Sequence, residues 1–152
     1  MLDILHKIAI KSSSPDKLYQ AVATREGVAA WWTEDTKGES KVGGTLKFSF
    51  TRDGEVIGVM EMKVLELRPA ERVSWQVVAG PADWIGTRIS FELKQEGDYS
   101  ILLFKHQGWQ EASESMHHCS TKWGVFMLSL KSLLETGKGL PSPHDTKIDN
   151  WN

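Results

Sequence analysis

The chain has 152 residues, 40% apolar and 25% charged, enough to bury a core without staples and unlike a disordered polymer. The 18 Lys and Arg against 20 Asp and Glu give a formal charge of −2, which argues against nucleic acid as the partner, because binding to phosphates needs clustered positive charge. A single cysteine, Cys119, excludes an intrachain disulfide, and no apolar run reaches the roughly 20 residues of a membrane-spanning helix.

Met1 to His6 contain an acidic residue and no apolar stretch of signal-peptide length, so a cytoplasmic protein in a reducing compartment is expected. The unusual number is 7 Trp against 2 Tyr. Trp joins a large apolar body to one N–H and suits cores, interfaces and ligand pockets alike.

Leu5 to Lys11 reads as a first strand. Ser14-Pro15-Asp16 is a helix start, with a hydroxyl cap before a proline at the first helical position. That helix stops near Thr24 to Gly27, and a second short helical piece is predicted over Val28 to Trp32. From Gly43 the period becomes two. Thr45 to Phe50 is a strand with Leu46, Phe48 and Phe50 on one side, and Arg52-Asp53-Gly54-Glu55 is a hairpin turn. Val56 to Leu67 is a long strand with Val56, Gly58, Met60, Met62 and Val64 on one face. Val73, Trp75 and Val77 alternate with polar residues in the next strand, and Ile85, Thr87, Ile89, Phe91 and Leu93 alternate in the one after. Tyr99 to His106 is the last strand, and its inward set is open, since Ile101/Leu103 and Leu102/Phe104 are both apolar. The period then becomes 3.6 over a long amphipathic helix from about Ala112 to Thr136, with Gly137 as its cap.

The expected class is α+β: a curved antiparallel sheet wrapped around a long C-terminal helix, with two short helices between the first two strands. Residues 1–138 form one domain in this reading, and 139–152, with two prolines and few apolar residues, form a tail. Ile148 and Trp151 in that tail pack either on their own domain or on a second subunit.

The ordered segments Ser13 to Val22, Gly27 to Thr33, Gly43 to Phe48, Val64 to Trp75, His106 to Trp109 and Trp123 to Leu130 resemble a known family. The chain is similar to START-related helix-grip proteins of the SRPBCC superfamily, within the group named after the C-terminal domain of the activator of the ninety-kilodalton heat-shock protein ATPase. The resemblance covers about residues 4 to 138. It implies the helix-grip fold and, in many members, a cavity for lipids, polyketides or other apolar molecules. It implies no single activity, because the superfamily includes carriers, cyclases, hydroxylase domains and cochaperone parts. The eukaryotic activator has a separate N-terminal domain that helps grip the chaperone, whereas this chain opens at the first strand, which favours the small-molecule expectation.

Several residues invite chemistry. Adjacent helix positions project about 100° apart, so His117, His118 and Cys119 do not converge on one ion, and no metal or other cofactor is expected. Cys119 has no positioned base and reads as a small buried thiol. Arg88, Glu61 and Glu92 fall on the solvent side of their strands, and no Ser–His–Asp pattern can be assigned. No catalytic residue is therefore named. The better signal is the apolar face. Phe48, Phe50, Met60, Met62, Trp75, Ile85 and Phe91 on the sheet face Met116, Ser120, Trp123 and Met127 on the last helix. Met suits adaptable pockets, and Trp supplies a stacking wall. His106 is placed inward by the resemblance, and Trp31 and Trp32 stand where the superfamily often closes the cavity mouth. These fourteen residues are the expected ligand site. The ligand is expected to be small and mainly apolar, lipid-like or polycyclic. The competing expectations are a chaperone-associated interaction module and a cyclase- or hydrolase-type enzyme using the same cavity, in a monomer or homodimer.

Overall fold

In a computed structural model, which describes residues 1–11 and 13–152, the sequence signals become local structure by identifiable contacts. Strand β1 spans Leu2–Lys11. Ser14, extended in backbone, accepts from Lys17 N at 3.2 Å and starts helix α1, Pro15–Ala23. Thr24 both ends α1 and starts α2, Arg25–Ala29: its hydroxyl donates to Gln20 O at 2.7 Å and accepts from Gly27 N at 2.9 Å. The second helix therefore begins three residues before the predicted Val28, because a threonine cap outweighs the apolar run after it. The turn is tight. A Cβ on Gly27 would lie 2.2 Å from Gln20 O.

Among the described residues, seven strands form one antiparallel sheet in the order β1-β7-β6-β5-β4-β3-β2. Strand β2 (Asp35–Gly38) was not expected. It is three polar residues and a glycine long and pairs at the edge with β3 (Thr45–Arg52). Strands β4 (Glu55–Arg68) and β5 (Arg72–Ala79) follow their predicted spans closely. On β4, Met62 and Val64 are buried and Met60 and Gly58 half-buried, while Val56, at the hairpin end, is 59% exposed. Strand β6 is Arg88–Glu96, so the expected start at Ile85 is corrected. Trp84 N bonds Pro81 O and Thr87 N bonds Trp84 O, each at 2.9 Å, and these two turns hold Ile85 out of the ladder.

Strand β7 (Tyr99–Trp109) pairs with both β6 and β1. Its register settles the inward set. Leu102, Phe104 and His106 lie opposite Leu93, Phe91 and Ile89. Ile101 is buried as well, so exposure alone would not have separated the faces.

Helix α3 (Glu114–Thr136) begins at Ser113, whose hydroxyl accepts from Met116 N at 3.1 Å, and ends at the left-handed Gly137. It packs on β1, where His6 Nε2 donates to Ser120 O at 3.0 Å. The core between sheet and helices includes six of the Trp side chains, and Trp32 stacks on both Trp75 and Trp123, with centroids 6.1 and 4.9 Å apart. No helix among the described residues is long and apolar enough to cross a membrane.

The segment after α3, read from the sequence as a tail, lies along the domain. Leu140 N donates to Ser129 Oγ at 2.8 Å, and Ser142 N donates to Trp32 O at 2.8 Å. Trp151, 44% exposed, has its ring 5.2 Å from that of His118.

Candidate functional site

A recess of about 330 Å³ lies between the β3–β4 hairpin, the Pro81–Trp84 turn, the first half of α3 and the C-terminal segment. Its walls are mostly aromatic and sulfur-bearing: Trp32, Phe50, Met60, Trp84, Trp123 and Phe126. Ile57, Gly58 and Pro81 complete the sheet side. Ser115, His118, Cys119 and Lys122 come from α3, and Trp151 and Asn152 from the C-terminal segment.

The fourteen residues singled out from the sequence divide into four groups. Trp32, Phe50, Met60 and Trp123 are brought together on the recess wall. Trp31, Phe48, Met62, Trp75, Phe91, His106 and Met127 are in the packed core outside the recess walls, each at most 1% exposed. Trp31 belongs there because its Nε1 donates to Ala21 O at 2.8 Å, locking it over α1 rather than at a mouth. Ile85 is corrected outright, since its turn leaves it 54% exposed and outside the recess walls. Met116 and Ser120 line a separate depression of about 260 Å³ with Ile4 and Leu5 of β1.

That last difference has one cause, the rotation of α3. The sequence puts Met116, Ser120, Trp123 and Met127 on one stripe. The structure turns Ser120 toward β1 and gives the recess the neighbouring stripe Ser115, Cys119, Lys122 and Phe126. These are also spaced by three and four, but three of them are not large apolar residues, so an apolar-periodicity reading passes over them. Trp123, at the boundary, belongs to both.

His106 is fully buried, and both ring nitrogens are engaged. Nδ1 accepts from Trp123 Nε1 at 3.1 Å, so Nε2 carries the proton and donates to Thr87 Oγ1 at 2.8 Å. Thr87 in turn donates to Trp84 O at 2.5 Å. Burial lowers the His106 pKa to about 3 and keeps the ring neutral. The chain of bonds ties the turn before β6 to the helix, and it makes His106 a positioned core residue rather than a free base.

The polar groups on the recess wall are also held. Burial pushes the Cys119 thiol up to about 11, with hydrogen bonds to Trp84 and Ser115 opposing part of the rise. His117 turns away and bonds Ser113 O at 2.7 Å. His118 Nδ1 donates to Asp149 Oδ2 at 2.5 Å, and that bond holds the Asp149 carboxyl down at about 2. Lys122 Nζ donates to Thr146 O at 2.6 Å and forms an ion pair with Asp145 Oδ2 at 2.5 Å, 5.7 Å from the Phe126 ring centre. Arg52 donates to the Asn152 side-chain carbonyl. The arrangement can hold and orient an apolar molecule by contact area and ring stacking.

The outer face of the sheet carries different chemistry. Arg72 bridges Glu66 at 3.0 Å and Glu92 at 2.6 Å, which accounts for Glu92 on the solvent side as expected.

A sequence model of the family described as "Activator of Hsp90 ATPase homolog 1-like protein" matches residues 12–135. The sequence has no match among curated proteins. Among solved structures, the chain is similar to the solution structure of the Aha1 dimer from Colwellia psychrerythraea, at 44% identity over 91% of this chain and 100% of that one, with a TM-score of 0.78. Its fold also matches a protein from Staphylococcus saprophyticus at 11% identity (93% of this chain, 98% of that one, TM-score 0.72). A Chromobacterium violaceum protein matches at 20% identity (89% and 99%, TM-score 0.71). The helix-grip fold that the ordered sequence segments resemble is the one these structures share, and the chain belongs to the family of activator of Hsp90 ATPase homolog 1-like proteins.

Proposed function

We propose that the protein binds a small, mainly apolar molecule in the recess between sheet and α3. The observation that carries this reading is the wall itself. Trp32, Trp84, Trp123, Phe50, Phe126 and Met60 line a volume of about 330 Å³ between the sheet and α3, a wall of three indoles, two phenyl rings and a thioether. Leaving that much apolar surface unfilled weakens the core unless a ligand covers it. Native mass spectrometry of freshly purified protein, followed by denaturing extraction, tests it. The expected result is a reproducible extra mass of small-molecule size that leaves on unfolding, which can then be assayed for turnover. A clean apo mass, with no saturable binding of an apolar probe, overturns the reading.

A second reading is favoured by the family match and by the Aha1 structure at 44% identity: an interaction module acting on a chaperone ATPase. Stimulation of an Hsp90-type ATPase by the purified protein supports it, and an unchanged rate removes it. The same relative is a dimer, so a homodimer is the expected assembly, checked by analytical ultracentrifugation.

A further inference from the structure

The two basic side chains on the recess wall, His118 and Lys122, stand one helical turn apart on α3. Two carboxylates of the C-terminal segment meet them with the same spacing in reverse: Asp149 on His118 and Asp145 on Lys122, both at 2.5 Å. The Lys122 and Asp145 side chains are 10% and 4% exposed, so this ion pair is withdrawn from water. From the same segment, Trp151 and Asn152 complete the wall, and Trp151 packs beside the His118 ring. The segment thus brings to the two basic side chains of the recess wall what a ligand of one chemical class would bring, acidic groups beside an aromatic body.

We infer that the ligand of this recess is an amphipathic organic acid, and that the Asp145 and Asp149 carboxylates hold the place of its acidic group until it arrives. The inference rests on the reading of the recess as a ligand site. Its physical core is an exchange. A neutral ligand that displaced the segment would leave Lys122 desolvated and unpaired, which is strongly unfavourable. A ligand carrying a carboxylate or sulfonate replaces Asp145 as the partner of Lys122 and releases the segment with the cation still satisfied. A neutral apolar ligand can only fill the recess with the segment docked. The C-terminal segment is therefore both a wall and a selector for anions.

Two dyes with one arylnaphthylamine body test this in the full-length protein: 1-anilinonaphthalene-8-sulfonate, which bears an anion, and N-phenyl-1-naphthylamine, which does not. Binding is read by fluorescence, and the C-terminal amides and the Trp151 indole by nitrogen-15 NMR. Saturating sulfonate dye is expected to move the signals of residues 145–152 to those of a released segment, and the neutral dye is not. Asp145→Asn and Asp149→Asn, which weaken the internal competitor, are each expected to tighten the sulfonate dye by about fivefold or more and to change the neutral dye by less than about twofold. Lys122→Met is expected to abolish the preference for the sulfonate. Thermal melts establish that each variant is folded; if Asp145→Asn is not, Asp149→Asn decides. Unchanged sulfonate affinity in the folded variants, or a C-terminal segment undisturbed at saturation, overturns the inference while saturable neutral-dye binding keeps the recess as a ligand site. No saturable binding of either dye overturns both.

Discussion

The indole N–H of Trp123, on α3, donates to Nδ1 of His106, on β7, at 3.1 Å inside the core. This bond crosses the gap between helix and sheet beside the recess and fixes which His106 nitrogen bears the proton. Its consequences can be measured. His106 is neutral in the folded protein, with its pKa lowered to about 3 by burial, whereas an exposed histidine titrates near 6.5. The unfolded chain therefore binds the extra proton between these values. The His106 contribution to stability is full above pH 6.5 and is lost as the pH falls from 6.5 toward 3. Urea unfolding at pH 7 and pH 4.5 should show a decline of a few kcal/mol, and a His106→Gln variant should show a flatter dependence over that range. Parallel profiles would contradict the assigned protonation.

Trp123 itself contributes in two separable ways. Trp123→Ala removes a side chain 2% exposed that packs on Trp32 and Phe104 and should destabilise by about 3–5 kcal/mol. Trp123→Phe keeps part of the contact and leaves His106 Nδ1 without a donor, which should cost about 1–3 kcal/mol. Equal losses in the two variants would mean that packing contributes nothing beyond the bond.

Cys119 should be a slow thiol. Its pKa of about 11 leaves little thiolate at neutral pH, and it faces the recess. Alkylation by iodoacetamide at pH 8 should run well below the rate of an unfolded control. It should slow further when an apolar probe fills the recess. A rate equal to the unfolded control would remove Cys119 from the wall.

Gly139 lies where the C-terminal segment crosses the core. A Cβ there would come 2.4 Å from Ala30 O and 3.2 Å from Ser129 O. Gly139→Ala should therefore lower the melting temperature and loosen the segment that carries Asp145 and Asp149, seen as faster amide exchange at residues 140–152. Unchanged exchange would show that the crossing tolerates the extra atom.

The sheet and the long helix were legible because their signals are periodic and strong. Val73, Trp75 and Val77, or Ile89, Phe91 and Leu93, alternate between turns of fixed chemistry, and the Ser14 cap with Pro15 and the left-handed Gly137 mark helix ends. Strand β2 escaped because three polar residues and a glycine at an edge carry no period, and α2 was misplaced because its start is set by the hydroxyl of Thr24, whereas the apolar run begins only at Val28. The site was half legible. Trp32, Phe50, Met60 and Trp123 could be found as inward aromatic and sulfur side chains. The rotation of α3 by one stripe could not, because it is set by tertiary contacts such as His6 with Ser120. Nor could the docking of Trp151 and Asn152, which depends on ion pairs between residues more than twenty positions apart, Lys122 with Asp145 and His118 with Asp149.

Gly58 offers the most direct test of the recess as a binding site. It lies on the wall in extended backbone, and a Cβ there meets no heavy atom within 4 Å, so Gly58→Leu adds bulk to the open volume without disturbing the core. Titration of N-phenyl-1-naphthylamine into wild type should give saturable one-to-one binding, weakened by about tenfold or more in Gly58→Leu at unchanged melting temperature. Saturable binding of equal affinity in the two proteins, or none in wild type, would contradict the recess as the ligand site.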